Sequence, residues 1–356
     1  MRRVLNINYD FILGGVETSI MNIYRNIDRK NVQFDFVVTG NSPVYFKDEI
    51  EKMGGKIFYI NKKDRLINSL FFVFKLYKLL KQHSYYAVQS HFSYTGGLDC
   101  LIAAMAGVKK RYITSHGSTP LSFWKIPISR FLMNRFATKR LAVSSKAGKA
   151  LYGNAAFQII NNGIDIKRFA FDKDKRDLNR AKLNVADKFV IGNVARFSKE
   201  KNQLFLLEIF KIIHKKNKSA VLLFLGGGET EPTIKNKVKE AGLDKSVLFL
   251  GSNKDCSALY QVMDCFVFPS KSEGFGIVAI EAECSGLPCF ISDGVPNETM
   301  ICNTIKIPLS KSAKEWADII LDKTKGFQRE DCSLKIKNAG FDIKDTAKLI
   351  EQEYLK

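Results

Sequence analysis

The chain has 356 residues, 46% of them apolar, enough for two domains that each bury a core. Its net charge of +20 is concentrated at one end: residues 1–165 hold 24 Lys/Arg against 10 Asp/Glu, while residues 166–356 hold 32 against 26. The seven cysteines (Cys100, Cys256, Cys265, Cys284, Cys289, Cys302 and Cys332) are odd in number and contain no C-x-x-C pair, which argues against a disulfide framework and for reduced, buried thiols in a cytoplasmic protein.

The first run, Arg3–Asn8, reads as a strand and carries no apolar signal core or small-residue cleavage site. Short β-branched runs follow at Val32–Val38, Lys56–Ile60, Tyr86–Ser90, Arg111–Thr114 and Arg140–Val143, separated by longer segments of helical period. The charge-dense stretch Asp165–Lys188 interrupts this rhythm, which resumes at Phe189–Val194, Ala220–Leu225, Ser246–Leu250, Cys265–Phe268 and Pro288–Ile291. Such alternation predicts parallel sheets with crossover helices, an α/β architecture. The expected organisation is a first domain over 1–165, a linker over 166–187, a second domain over 188–340 and a tail over 341–356, with a helix at Lys344–Tyr354. In open α/β sheets ligands bind beyond the C-terminal strand ends, so the loops after each strand are the places to search.

The richest of these loops follows Cys265–Phe268: it turns at Pro269-Ser270, passes Glu273-Gly-Phe-Gly276 and enters a helix at about Ile277. Gly274 and Gly276 let backbone approach a ligand closely, and free amides at a helix start favour a phosphate. Glu273 and Glu281 would flank it and accept from sugar hydroxyls. A plain tight turn followed by two solvated acids, Glu281 and Glu283, fits the same spacing, and spacing alone leaves both readings open. Arg196 and Lys201 lie just past the Phe189–Val194 strand and either face a diphosphate or form a solvated basic turn. Gly14 and Gly15 follow the first strand at a helix start, a second weak anion signal. Of the four histidines, His116 and His91 lie just past strand ends, whereas His83 and His214 sit in basic helix contexts. Asp172-Lys173-Asp174, the one Asp-x-Asp noted, lies among linker cations and reads as chance rather than as a metal site.

The run Pro269-Ser-Lys-Ser-Glu-Gly-Phe-Gly-Ile-Val-Ala-Ile-Glu-Ala-Glu-Cys-Ser-Gly-Leu-Pro288 resembles the Glu-x7-Glu signature of retaining GT-B-fold glycosyltransferases, family four or "group one", of the capsular and exopolysaccharide type. The resemblance spans nearly the whole chain, densest over 189–292 and weakest over 41–80 and 293–356. It implies two Rossmann-like domains facing an interdomain cleft, with the C-terminal helix crossing back to the first. The second domain would hold a nucleoside-diphosphate sugar, by default a UDP-sugar, and the first a saccharide acceptor on a polyprenyl diphosphate. Glu273 inherits the sugar hydroxyls, Glu281 the ribose, and the backbone of Gly274, Phe275, Gly276, Ile277 and Val278 the phosphates. Arg196 and Lys201 inherit the departing nucleotide, with no metal and no cofactor required. Gly15 borders the donor phosphate, Gly14 and His91 fall on the acceptor side, and His116 matches a histidine that touches the donor sugar and reaction centre.

Two further stretches mix aromatics with cations: Leu66–Leu80, flanked by Lys62, Lys63, Arg65 and Lys81, and Phe123–Phe136. The first is shorter than a membrane span of roughly 18 residues and contains Lys75 and Lys78. Each suits an interfacial helix, or a core-facing helix whose cations snorkel. With the basic first half they lead us to expect peripheral association with an anionic membrane, at the inner face of the cell membrane. The competing functions are a sugar-nucleotide epimerase or hydrolase of the same fold, and a nucleic-acid-binding module. The latter accounts for the charge but for none of the loops, so no nucleic-acid partner is expected.

Overall fold

The computed structural model describes residues 1–12, 14–40, 42–60, 67–91, 95–117, 126–252 and 256–356. The chain forms two compact units, the first made of Met1–Gly163 joined by Ile343–Lys356, the second of Ile164–Asp342. The first unit holds a parallel sheet of β1 (Arg2–Asn8), β2 (Val32–Val38), β3 (Ile57–Tyr59), β4 (Ala87–Ser90), β5 (Lys110–Ser115), β6 (Lys139–Ala142) and β7 (Gln158–Ile159) in the order β3-β2-β1-β4-β5-β6-β7. The second holds β8 (Phe189–Val194), β9 (Ala220–Leu225), β10 (Val247–Phe249), β11 (Cys265–Phe268), β12 (Cys289–Ser292) and β13 (Thr304–Ile307) in the order β10-β9-β8-β11-β12-β13. The expected α/β class is therefore met in both halves. Two short strands, β7 and β13, were not anticipated.

Because strand side chains alternate, each central strand feeds a core on both faces. Phe34, Phe36 and Val38 of β2 join Tyr24 and Tyr354 on one face, while Val37 joins Leu5, Ile7, Phe72 and Leu76 on the other. The helix Ile67–His83 buries Phe72, Leu76, Leu79 and Leu80, a stripe at helical spacing. Each such side chain contributes on the order of 2 kcal/mol of apolar transfer. The helix Ile343–Leu355 completes the first unit: Tyr354 packs edge-on against Phe34 at 5.9 Å and Tyr112 at 5.5 Å, and its hydroxyl donates to the Gln89 side-chain oxygen. In the second unit Trp316, Phe210, Phe224 and Ile320 form the corresponding centre.

Two expectations are corrected. The stretch expected to link the domains carries the helices Ile166–Phe169 and Lys173–Lys182 within the second unit, N-capped by Asp165 and Asp172. Its charges are engaged: Arg176 and Arg180 reach Asp264 at 2.5 and 3.2 Å, and Asp264 also accepts from the Val190 amide at 2.7 Å. The cysteines divide: Cys302 and Cys332 form a disulfide, whereas Cys100, Cys256, Cys265, Cys284 and Cys289 are free thiols. A pair separated by 30 residues leaves no local pattern, and the fold brings together the segment just before β13, which holds Cys302, and the N-cap of the helix Ser333–Asn338, which is Cys332.

Candidate functional site

Strand order reverses in the second sheet between β8 and β11, and such a switch point opens a crevice at the C-terminal strand ends. The loops leaving these two strands are tied together. The Lys271 amide donates to the Glu200 carbonyl at 2.7 Å and the Asn202 side chain to the Pro269 carbonyl at 3.1 Å. Lys201 is thereby set against Glu273, its Nζ lying 2.5 and 2.7 Å from the two carboxylate oxygens. Ser270 donates to the same carboxylate at 2.5 Å, and the Glu273 amide donates to the Gly294 carbonyl at 3.1 Å. Glu273 is 8% exposed, so this charge is held by designated partners and not by bulk water. Arg196, five residues before Lys201, is exposed, and its charge helps hold the Glu200 carboxyl below its usual range after the carboxylate's own local hydrogen bonds.

Gly276 starts the helix Ile277–Cys284 in a left-handed conformation at φ 92°, which a side chain rarely adopts. Ahead of it the Phe275 ring is buried against Phe341 at 5.5 Å, leaving the backbone of Gly274–Val278 to form the helix entrance. One turn in, Glu281 is buried and accepts from the Tyr260 hydroxyl at 2.8 Å and from the Cys256 thiol at 3.7 Å. Burial raises its pKa to about 7, opposed by those two hydrogen bonds. Glu283 is also buried, but it accepts from the backbone amides of Ile301 and Cys302 and braces that segment. The reading of both acids as solvated therefore fails, and the two are distinguished by what they hold. On the far side, Gly226 lies so close to the Ala195 carbonyl that a Cβ would stand 2.0 Å from it, so only glycine lets that loop close onto the Arg196 turn.

The first sheet has its own switch point between β1 and β4. His91 follows β4 and His116 follows β5, and the structure brings these two together: His91 Nδ1 lies 2.9 Å from His116 Nε2, and His91 Nε2 lies 3.0 Å from the Asn6 side-chain oxygen. Burial pulls His116 down to about 4, and burial with the neighbouring imidazole pulls His91 well below its usual value. Gly14 is the extended N-cap of the helix Gly15–Asn26, and Gly15 has nothing within 4 Å of the position a Cβ would take. Tyr260, Ser270 and Asn6 were missed at the sequence level. The signal for Asn6 was available, since a polar residue inside an apolar parallel strand calls for a partner.

Of the two aromatic and basic stretches, Lys62, Lys63, Arg65, Leu66 and Phe123–Lys125 lie outside the described residues. The helix Ile67–His83 exposes Phe71, Phe74, Lys75 and Lys78, and the helix Ile126–Phe136 exposes Ile128, Phe131 and Arg135. In each case the exposed residues fall on one face of the helix. No helix among the described residues is long and apolar enough to cross a membrane.

Comparison with known proteins matches residues 13–168 to Glycosyltransferase Family 4 and residues 174–322 to Glycosyl transferases group 1. EpsF of Bacillus subtilis (strain 168), named as a glycosyltransferase, is 32% identical over 90% of this chain and 87% of its own. The UDP-Gal:alpha-D-GlcNAc-diphosphoundecaprenol alpha-1,3-galactosyltransferase of Escherichia coli is 26% identical over 97% of this chain and 94% of its own. Among solved structures, Anabaena Alr3699/HepE in complex with UDP and glucose superposes with a TM-score of 0.80 at 21% identity, covering 99% of both chains.

Proposed function

The chain belongs to the glycosyltransferases of family 4 and group 1, with the GT-B fold, and from that premise we propose that it moves a sugar, with retention, from a UDP-sugar to a saccharide on a polyprenyl diphosphate in cell-surface polysaccharide assembly. The observation that carries this reading is the Lys201–Glu273 pair set beside the helix entrance at Gly276 and the buried Glu281. The relatives support the finer terms: the Escherichia coli enzyme is named for UDP-Gal and an undecaprenol-diphosphate acceptor, and the Anabaena structure holds UDP.

In this reading the amides of Gly274–Val278 receive the diphosphate, Glu281 the ribose hydroxyls and Glu273 the sugar hydroxyls. The bond from the anomeric carbon to the β-phosphate oxygen breaks and the acceptor oxygen bonds to that carbon on the same face. The acceptor proton passes to the departing phosphate. Charge grows on that phosphate as the bond breaks, and Arg196 and Lys201 act on it there. Metal is then dispensable, and turnover should survive EDTA. His116 meets the transferred sugar, and Gly14 borders the acceptor. The two exposed aromatic and cationic helix faces seat the protein on an anionic leaflet, where a lipid-linked acceptor resides. Vesicles rich in phosphatidylglycerol should therefore float the protein, and vesicles of phosphatidylcholine alone should not.

Thermal shift against UDP, GDP and ADP tests the donor: UDP should raise the melting temperature most, and no rise with any of them would sink the donor site. Donor turnover should require the lipid-linked acceptor, because rapid consumption without it is the behaviour of a hydrolase or epimerase. The two acids should separate. Glu281→Ala should weaken nucleotide binding about 10- to 100-fold, the scale of hydrogen bonds to a charged group, whereas Glu273→Ala should lower kcat with nucleotide affinity nearly intact.

A pH dependence follows from Glu281. With its pKa near 7, the carboxyl is ionised at about pH 8 and mostly protonated at about pH 6, where it has given up an acceptor site. The Kd of UDP-glucose should then rise about tenfold between those pH values. The diphosphate of a sugar nucleotide is a diester that does not titrate in this window, and His91 and His116 titrate below it. Glu281→Gln should flatten the profile, and an unchanged slope in that variant would assign the effect elsewhere.

A further inference from the structure

Three side chains at neighbouring strands form a chain of hydrogen bonds in which the transfer reading gives a role to His116 but none to Asn6 or His91. Asn6 on β1, His91 after β4 and His116 after β5 stand in sheet order at the C-terminal strand ends. Asn6 is 1% exposed, and the two imidazole rings lie 5.1 Å apart, tilted by 37°. The order of donors along this chain follows from which end of the Asn6 amide faces His91, and here it is the oxygen. An amide oxygen has no proton to give, so the 3.0 Å contact to Asn6 places the proton of His91 on Nε2. A neutral imidazole carries one N–H, so His91 Nδ1 is an acceptor, and across 2.9 Å it takes the N–H of His116 Nε2. The proton of His116 is then committed to His91, and its Nδ1 is left as a bare lone pair with no partner among the described residues. Turning the Asn6 amide end for end would reverse every proton in the chain and make the same nitrogen a donor.

From this geometry we propose that Asn6 and His91 are positioning residues that fix the tautomer of His116, so that His116 offers the substrate an acceptor nitrogen and not an N–H. The proposal rests on the reading that His116 meets the transferred sugar. Its consequence is selectivity for a hydroxyl at the sugar position facing that nitrogen. A hydroxyl donates to a bare imidazole nitrogen, whereas a deoxy or fluoro substituent has no proton to offer and leaves the nitrogen unpaired.

The test uses the full chain labelled with 15N-histidine, in which long-range proton–nitrogen correlations report the tautomer of each ring. Wild-type His116 is expected as the Nε2–H form with an unprotonated Nδ1. His91→Phe and Asn6→Leu should release it to a mixture of tautomers and lower kcat about tenfold, the value of one misdirected hydrogen bond, with nucleotide Kd unchanged. His91→Gln keeps an acceptor oxygen within reach of His116 and should restore most of the loss. An Nδ1–H form or an even mixture in the wild type overturns the proposal, as does wild-type kcat in a folded His91→Phe. Failure of the wild type to bind any nucleoside diphosphate would instead sink the donor reading and leave the tautomer result standing.

Discussion

Lys201→Ala should lower kcat by about 100- to 1000-fold, the range seen when a preorganised group facing developing charge is removed. Two effects combine in this number. The ammonium that faces the departing phosphate is lost, and the Glu273 carboxylate, buried and holding two short contacts to that ammonium, is left with the Ser270 hydroxyl as its side-chain donor among the described residues. An unpaired buried carboxylate beside a diphosphate repels the substrate it should orient. A double-mutant cycle apportions the two. If Lys201 acts mainly on the phosphate, Lys201→Ala in a Glu273→Ala background still costs most of its effect; if it acts mainly by holding Glu273, the second change adds almost nothing. Steady-state kinetics at saturating donor decides the issue, and a kcat within threefold of wild type for Lys201→Ala would remove this residue from the machinery.

The second large effect is on stability. Asp264→Ala should cost the second unit about 3 kcal/mol in urea unfolding, the low end of the range for breaking a buried ion pair, since Asp264 keeps 23% of its side chain exposed. The alanine strands the Arg180 guanidinium, 7% exposed, and frees the Val190 amide at the start of β8. Asp264→Asn keeps an acceptor for that amide and should cost less. The effect should reach the donor site by a short route. Arg176 donates to the Gln261 carbonyl at 2.8 Å and Arg180 to the Val262 carbonyl at 2.7 Å, next to the Tyr260 whose hydroxyl positions Glu281. A loss below about 1 kcal/mol would mean that the arginines re-pair with water or with other carbonyls.

These two residues also mark what could be read from the chain. Strands such as Val32–Val38 and Ala220–Leu225 were legible because burial on both faces of a parallel sheet demands unbroken apolar runs. The Glu273 to Glu281 stretch was legible because its chemistry is local, with strand, turn, glycine and helix entrance following one another within sixteen residues of β11. Asp264 was not legible. Its partners lie more than eighty residues earlier, in a stretch whose charge density looks like solvent exposure until the fold folds it back. The same holds for Cys302 and Cys332, and for the division of labour between Glu281 and Glu283, which depends on Tyr260 in one case and on the amides of Ile301 and Cys302 in the other. His91 shows the limit most clearly. Its position after a strand marked it as a site residue, but nothing local tells that its ring is turned toward His116.

The helix Ile343–Leu355 has a consequence for how the chain is made. Tyr354 and Ile350 belong to the first unit's core, where Tyr354 meets Phe34 and Tyr112, yet they are synthesised only after the whole of Ile164–Asp342. During translation the N-terminal sheet must therefore wait with part of one apolar face uncovered while the second unit, contiguous in sequence, is free to fold first. Chaperone occupancy should accordingly be highest on the N-terminal half and should fall once the helix Ile343–Leu355 has docked.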